Sequence, residues 1–406
     1  MEANTDIVEK KYSKIKTISF IIGVLSFSIF IFLLFYPGSG AYSDRISNDN
    51  NPFVLNDSFK RVTILAFGDA MTHMPVINST WDTSCKCYDF SNIFRYLPPI
   101  IEQADISFVN YETTNAGPPY SGYPQFSSPD TLAWFLKDVG FNFLVNANNH
   151  TNDRNLKGVI RTLDVFDRYQ IKHTGVFRNE EERNKNYPFF IKEKGLKLAI
   201  LNYSYSTNGI PTPSPAIVNT IDTLQIKADL KKALDSIPDA VIVLMHWGVE
   251  YQREASPEQK QLADFLFRNG ADAIIGSHPH VIQPMEIYQF NYQGKPKNGL
   301  VIWSLGNFIA NQRRHYANGG IMAKFDIAKN IFTGKLIIDR ISYIPFWVYK
   351  QYNPTKYHIL PVSLFENDTT TFIMHDSDKT TFKIFSNETR KHMNRDTANI
   401  KELFLK

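Results

Sequence analysis

Two histidines set one proline apart, in Gly276-Ser277-His278-Pro279-His280, have the type and spacing to hold a metal ion or a phosphate. The residues before them, 273–275, form a short apolar run that suits a buried strand ending at Gly276. In an open α/β sheet, ligands bind beyond the carboxyl ends of the strands. Proline fixes its own φ and biases the residue before it toward an extended backbone, so both imidazoles are expected on a stiff loop. The pattern recurs along the chain. Asp69 follows the apolar run 62–67, and Asn110 and Glu112 follow the run 105–110. Asn148, Asn149 and His150 follow 142–147, with Asn152 and Asp153 just behind. His246 and Glu250 follow 240–246, and Asn307 follows 300–305. Taken singly, each has an ordinary explanation: a helix cap, a turn former, or a core histidine with satisfied hydrogen bonds. Taken together at strand ends, carboxylates and imidazoles suit a divalent metal such as zinc, manganese or iron.

Those positions require a scaffold of alternating strands and helices. Helical patterns are expected over 93–103, 131–139, 156–169 and 257–268, between strand-like runs that also include 197–203. The helix at 257–268 carries the clearest start signal, a capping Ser256 followed by Pro257 in the first turn, and Asn269-Gly270 stops it. This alternation predicts an α/β protein. After Gly319 the helical pattern fades and 321–344 reads as successive strands, while the Thr-rich tail from Phe365 gives no reading. His173, in Lys-His-Thr-Gly, is expected in a turn after a helix, outside every motif.

The motifs also spell out a resemblance. Gly68-Asp69-Ala70-Met71, Asn110-Tyr111-Glu112, Ala147-Asn148-Asn149-His150, His246-Trp247-Gly248-Val249-Glu250-Tyr251, Gly276-Ser277-His278-Pro279-His280 and Ser304-Leu305-Gly306-Asn307-Phe308 occur in that order. The set resembles the CapA family of bacterial capsule and poly-γ-glutamate synthesis proteins, from about Arg61 to about Ile344. That family looks like a branch of the calcineurin-like metallophosphoesterases. The resemblance implies a four-layer αββα sandwich, two sheets face to face with helices outside, and one or two divalent metal ions. It places Asp69 on a first metal, with His280 returning to it, and Glu112 in the bridging position. Asn149, His246 and His278 fall on the second metal, and His150 is the implied catalytic acid. Asn110, Asp153, Glu250 and Asn307 are implied as supporting residues. Three positions depart from the pattern. Met71 stands where the superfamily's Asp-x-His motif has histidine, and a thioether is a poor ligand for a hard metal. Glu112 stands where Asp is usual. Asn155 stands where CapA proteins usually carry Gly, although Asn tolerates a left-handed turn. The implied function is a metal-dependent hydrolase or transferase acting on phosphoester or amide bonds of an anionic surface polymer or its precursor. The alternative is a non-catalytic polymer-binding or scaffold subunit beside membrane polymer synthase subunits.

Composition narrows the remaining classes. The chain has 406 residues, 43% hydrophobic and 21% charged, which is ordinary for a folded protein. Its net charge is +4, and the lysines of the folded region are not gathered into a nucleic-acid footprint, so no nucleic-acid partner is expected. Cys85 and Cys87 are the only cysteines. One intervening residue makes a bridge between them an unfavourable geometry, and Cys-x-Cys is too little for structural zinc. A surface insertion outside the chemistry is expected.

The chain therefore divides into a cytoplasmic stretch 1–16, an apolar anchor 17–36, a stalk 37–60, the CapA-like domain 61–344 and an extension 345–406. Residues 17–36 contain no charged side chain and are long enough to cross a bilayer as a helix. Lys10, Lys11, Lys14 and Lys16 precede them, which places the N-terminus in the cytoplasm and the domain outside. The rival is a cleaved signal peptide with Gly38-Ser39-Gly40 near its end, but its apolar segment would be unusually long. Protease added to intact spheroplasts should digest the folded domain, and a protected domain would contradict this topology.

Overall fold

The computed structural model describes residues 58–368, 370–394 and 400–405, and the apolar segment 17–36 lies outside them. Among the described residues no helix is long and apolar enough to cross a membrane.

The first half of one sheet is built from β1 (Phe59–Ala70), β2 (Ile106–Asn110), β3 (Phe143–Val145) and β4 (Lys172–Thr174), paired in parallel in that order. The second sheet follows in the chain as β5 (Phe189–Glu193), β6 (Leu196–Ser204), β7 (Ala240–His246), β8 (Ala273–Ser277), β9 (Ile282–Tyr292) and β10 (Lys295–Leu305). Its spatial order is β9-β10-β8-β7-β6-β5, with a parallel centre and an antiparallel strand at each edge. The chain then returns to the first sheet. β11 (Asn307–Ile309) lies parallel to the end of β1, and β12 (Gly319–Asn330), β13 (Leu336–Gln351) and β14 (Lys356–Pro361) extend that sheet outward from the other side of β1.

Strand periodicity assigns the layers. Along β1, Val62, Ile64 and Ala66 join Ile200, Ile242, Ile275 and Ile302 in one core between the two sheets. Leu65 and Phe67 face the other way. There they meet α2 (Thr131–Asp138) and α3 (Asn155–Arg168) through Leu132, Leu136, Val159 and Leu163; α1 (Met74–Ser79) adds Val76. The second sheet's outer face, with Leu201, Val243 and Ile274, is covered by α4 (Thr223–Asp235) and α5 (Pro257–Arg268). The result is helix, sheet, sheet, helix. At the start of α5 the Ser256 Oγ accepts the Gln259 N–H at 3.2 Å, and the Gln259 Oε1 accepts the Ser256 N–H at 3.0 Å, the reciprocal box that satisfies two otherwise orphaned donors.

Several expectations need correcting. The helix expected over 93–103 is two short turns, Ser91–Phe94 and Pro98–Ile101, because Pro98 has no N–H to continue the ladder. His173 sits in edge strand β4 against the Phe166 ring rather than in a turn. Cys85 and Cys87 are bridged, with a Cα–Cα distance of 5.2 Å and Lys86 turned to φ +53° between them, below a small hairpin of Trp81–Asp82 and Cys87–Tyr88. Asn155 does take the left-handed turn, at φ +51°. The tail that gave no reading contains α6 (Asp376–Met393), whose Phe382, Phe385 and Met393 enter the inter-sheet core. Arg390 pins that helix by binding Glu366 at 2.7 Å and Glu402 at 2.6 Å. Strand β13 runs without a break past residue 344.

The two sheets meet tightly at one crossing. Gly306 carries the chain from β10 in the second sheet to β11 in the first, at φ +75°, and its carbonyl accepts the Asp69 N–H at 3.1 Å. A Cβ on Gly68 would fall onto that same carbonyl oxygen. A Cβ on Gly306 would meet the Gly319 carbonyl oxygen at 3.0 Å. Gly306→Val should misfold the domain, since a β-branched side chain meets both the φ penalty and overpacking, together about 3 kcal/mol or more. Gly68→Ala should lower the melting temperature sharply. Soluble, cooperatively melting Gly306→Val protein would contradict this account.

Candidate metal centre

Every strand end singled out by sequence arrives at the same edge. Asp69 is the last residue but one of β1, Asn110 ends β2, His246 ends β7, and His278 and His280 follow β8. Register explains the convergence: Asp69 aligns with Asn110 and with Asn307, and His246 aligns with Ser277. Asp69, Glu112, Asn149, His150, His246, His278 and His280 are all buried.

The His278-Pro279-His280 loop is not extended as the proline predicts. His278 adopts φ +100° and His280 φ +60°, a conformation that side chains other than glycine take only under constraint. Two bonds impose it. The His278 N–H donates to Asp69 Oδ2 at 3.2 Å, and the Tyr251 N–H donates to the Pro279 carbonyl at 2.8 Å. Strain held in this way concentrates at functional sites.

Asp69 is the hub. Its Oδ1 accepts the Asn110 amide at 2.8 Å, and its Oδ2 lies 3.1 Å from His280 Nδ1. Burial pushes this carboxyl upward, but the hydrogen bond and charge of His280 and the Asn110 amide outweigh that and hold it below its ordinary value. Glu112 is the opposite case. Burial and the neighbouring Asp69 charge drive its pKa well above the usual carboxylate range. His246 is held well below its ordinary value by burial and by His278 and His280. His278 is pushed down to about 3 by burial and by His280. The two depressed imidazoles are thus neutral at physiological pH, the form that binds a cation.

The donor set fits a divalent ion on two grounds. Ligand atoms of Glu112, His278 and His280, and separately those of Asp69, Glu112 and His246, lie within 4.8 Å of one another, with Glu112 common to both groups. Glu112 Oε1 and His278 Nδ1 are also buried without a hydrogen-bond partner, which is costly in a protein interior. Around them, His246 Nε2 contacts Asn149 Oδ1 at 2.8 Å and lies 3.6 Å from Glu112 Oε1. Its Nδ1 lies 3.0 Å from Ser277 Oγ.

His150 stands apart from these groups. Its Nδ1 lies 2.7 Å from Asp153 Oδ2, which also accepts the Phe126 N–H at 2.7 Å. His150, Asn149, Asp153 and Glu250 line a cavity of about 370 Å³. Glu250 is half-exposed, with Oε1 4.0 Å from His280 Nε2. Asn307 donates its amide to Gln312 Oε1 at 2.9 Å and to the Ala317 carbonyl at 2.7 Å, which organises the following loop, while its Oδ1 is buried without a partner. Met71 is buried with Phe126 and Ala310 in a small apolar cluster.

Sequence reasoning missed four residues. The Tyr205 ring lies 4.4 Å from His278, Asn208 Oδ1 accepts the Asn149 amide at 3.1 Å, Ser277 touches His246, and His73 shares the Phe126 ring with His150. Ser277 lay inside a motif already singled out, and Tyr205 follows a strand that ends at the same sheet edge. Asn208 and His73 carried no such signal.

Fold and site together define a two-sheet α/β protein built around a buried carboxylate–imidazole cluster at its strand ends. Residues 63–312 match the family described as bacterial capsule synthesis protein PGA_cap, and the chain belongs to that family. It is 26% identical over 294 residues to the capsule biosynthesis protein CapA of Bacillus anthracis, an alignment covering 69% of this chain and 66% of that protein. It is 29% identical over 256 residues to the PGA biosynthesis protein CapA of Bacillus subtilis (strain 168), covering 59% of this chain and 62% of that protein. The chain thus spans less than two thirds of the length of either relative. Among solved structures, the calcineurin-like phosphoesterase YfkN from Bacillus subtilis is 14% identical with a TM-score of 0.45, covering 82% of this chain and 98% of that one. The NAD nucleotidase (NadN) of Haemophilus influenzae is 13% identical with a TM-score of 0.45, covering 86% of this chain and 58% of that one.

Glu112 gives a pH test on metal-free protein. Because its folded pKa is raised, the native state keeps a proton that the unfolded chain gives up, and stability falls as pH rises above the ordinary glutamate range. Glu112→Gln removes that penalty. At pH 8 the metal-free variant should melt higher than the unsubstituted protein, while taking up less metal. An equal or lower melting temperature would contradict the burial argument.

Proposed function

We propose that the chain is a membrane-anchored CapA-type protein acting in the synthesis or export of an anionic surface polymer, as a metal-dependent hydrolase or transferase of phosphoester or amide bonds. The observation that carries this reading is the pair of unpartnered buried atoms, Glu112 Oε1 and His278 Nδ1, inside a cluster of imidazoles and carboxylates. The layering, with two sheets sharing a core and helices outside, supports the calcineurin-like expectation. Asp69, Glu112, Asn149, His246, His278 and His280 would hold one or two divalent ions, with manganese, iron and zinc all compatible with oxygen and imidazole donors. A bound divalent ion supplies Lewis acidity to the scissile group. The protein's own contribution is proton transfer. Asp153 fixes the His150 ring through Nδ1, leaving Nε2 to deliver a proton to the departing oxygen or nitrogen. The anchor is read from the uncharged apolar run 17–36, and its orientation from the lysines preceding it. The partners in this reading are the polymer or its precursor and membrane synthase subunits.

One observation favours a second reading. Met71 occupies the superfamily's histidine position and is used in apolar packing with Phe126 and Ala310, so it offers no hard ligand. A site with one weak ion position would serve a non-catalytic polymer-binding or scaffold subunit.

Metal content and turnover of generic phosphoesters and amides separate the two. His278→Ala and His280→Ala should each lose metal and activity together. His150→Ala should keep its metal and its fold while losing roughly 10²–10⁴-fold in rate, the usual worth of general acid catalysis. His173→Ala, remote in β4, should change neither quantity. If His278→Ala and His280→Ala keep full metal, or if none of these variants alters surface polymer in cells, the scaffold reading replaces the enzyme.

A further inference from the structure

The cavity beside His150 is walled in part by two carboxylates, Asp153 and Glu250, and among the described residues no lysine or arginine lines it. A polyanion passing through it therefore needs a cation from beyond that wall. The segment after β11 offers three basic residues in a row, Arg313-Arg314-His315. Two of them are engaged by the protein itself. Arg313 donates to the Val348 carbonyl at 2.8 Å and to the Ala310 carbonyl at 3.0 Å. His315 Nε2 lies 2.7 Å from Glu388 Oε2. Arg314 differs. Its side chain is exposed, and among the described residues no carboxylate comes within ion-pair distance of it.

The Arg314 guanidinium instead lies over the Tyr251 ring, 4.3 Å from the centroid. That stacking places it beside the candidate metal centre. The Tyr251 ring is 6.1 Å from the His280 ring, and the Tyr251 N–H donates to the Pro279 carbonyl at 2.8 Å. The guanidinium carbon is thus no farther from the His280 ring centre than those two ring distances laid end to end. Glu250, which lines the cavity, is the residue just before Tyr251, so the platform adjoins the cavity wall. Both partners are fixed by their backbones. The Arg314 carbonyl accepts the Ala317 N–H at 3.0 Å, and Asn307 in turn holds the Ala317 carbonyl at 2.7 Å. A guanidinium stacked through its face keeps its edge N–H groups for another partner. Those edge groups match the paired oxygens of a carboxylate or a phosphate.

We propose that Arg314, stacked on Tyr251, binds a carboxylate or phosphate group of the substrate polymer next along the chain from the bond under attack. This rests on the anionic-polymer reading given above and adds to it the residue that reads the polymer's recurring charge. A small ester with one acidic group can occupy only the carboxylate–imidazole cluster. A polyanion reaches the cluster and Arg314 together, so this contact favours polymer over single esters.

The test uses the full-length protein in detergent with manganese present, and poly-γ-glutamate and inorganic polyphosphate as a carboxylate and a phosphate probe. Affinity is measured by calorimetry, alongside metal content, melting temperature and turnover of p-nitrophenyl phosphate by the unsubstituted chain. Arg314→Gln should keep metal content and melting temperature and bind the preferred polyanion about tenfold more weakly, as expected for one bidentate charged contact. Arg314→Lys keeps the charge without the fork and should recover only part of that affinity. The difference between Arg314→Gln and the unsubstituted protein should narrow as salt rises from about 0.05 M to about 0.5 M. Arg268→Gln removes an equal charge at the end of α5, which leads into the start of β8 and not its site end, and should change nothing. Unchanged affinity in Arg314→Gln, an equal loss in Arg268→Gln, or an unsubstituted protein that binds neither polyanion overturns the assignment. Should Arg314→Gln fail to fold, a folded Arg314→Lys with unchanged affinity overturns it as well. Polymer binding that depends on Arg314 in a protein without metal or ester turnover keeps this inference and removes the metal-dependent reading. Ester turnover with polymer binding indifferent to Arg314 does the reverse.

Discussion

A single buried carboxylate ties the two sheets together at the site. Asp69 has no exposed surface, so its charge must be met by donors inside the protein. They come from both sides. Asn110 approaches from the neighbouring strand of the first sheet, whereas the His278 backbone and the His280 ring reach across from the second. Hydrogen bonds to an ionised acceptor are about twice as strong as neutral ones. That strength helps offset the cost of holding His278 and His280 at positive φ. The Gly68–Gly306 contact permits the approach, since any side chain on Gly68 would push the Asp69 main chain away from the crossing.

The site is less stable than its surroundings by construction. Glu112 is buried beside another carboxylate, and one of its oxygens lacks a partner. Three imidazoles crowd within one small volume, with His246 and His278 ring centroids 4.8 Å apart. Each of these choices works against folding and in favour of taking up a cation. The cores on either side of the sheets, made of ordinary aliphatic and aromatic packing, are what keep such an arrangement assembled.

How legible this was in the sequence depended on how local the signal is. Strand ends and their chemistry were readable because a buried strand is a short apolar run, and the residue after it falls at the sheet edge whatever its partners. The α5 start was readable because capping lies within four residues. Asn155 was readable as a turn former for the same reason. Failures came where a distant partner decides. The His278 backbone follows Asp69, more than two hundred residues earlier in the chain, and not the proline beside it. The α6 face of Phe382, Phe385 and Met393 was hidden by threonine and charge around it, although its spacing is helical. His73 gave no signal, since its partners, Phe126 and Asn311, come from separate segments.

The route of the chain through the crossing sets a timetable. β1 is made first, but its antiparallel neighbour β12 spans Gly319–Asn330, and the Gly306 turn that receives the Asp69 N–H is completed only shortly before it. Until then β1 has an open edge, and the groups around Asp69 and Glu112 are brought together by half a framework. A chain ending before β12 would leave β1 without its antiparallel neighbour along residues 59–66, so Asp69 would be held by only part of its framework. Closure of the crossing is therefore what completes the surroundings of Asp69, and the strands made last fix the residue made first.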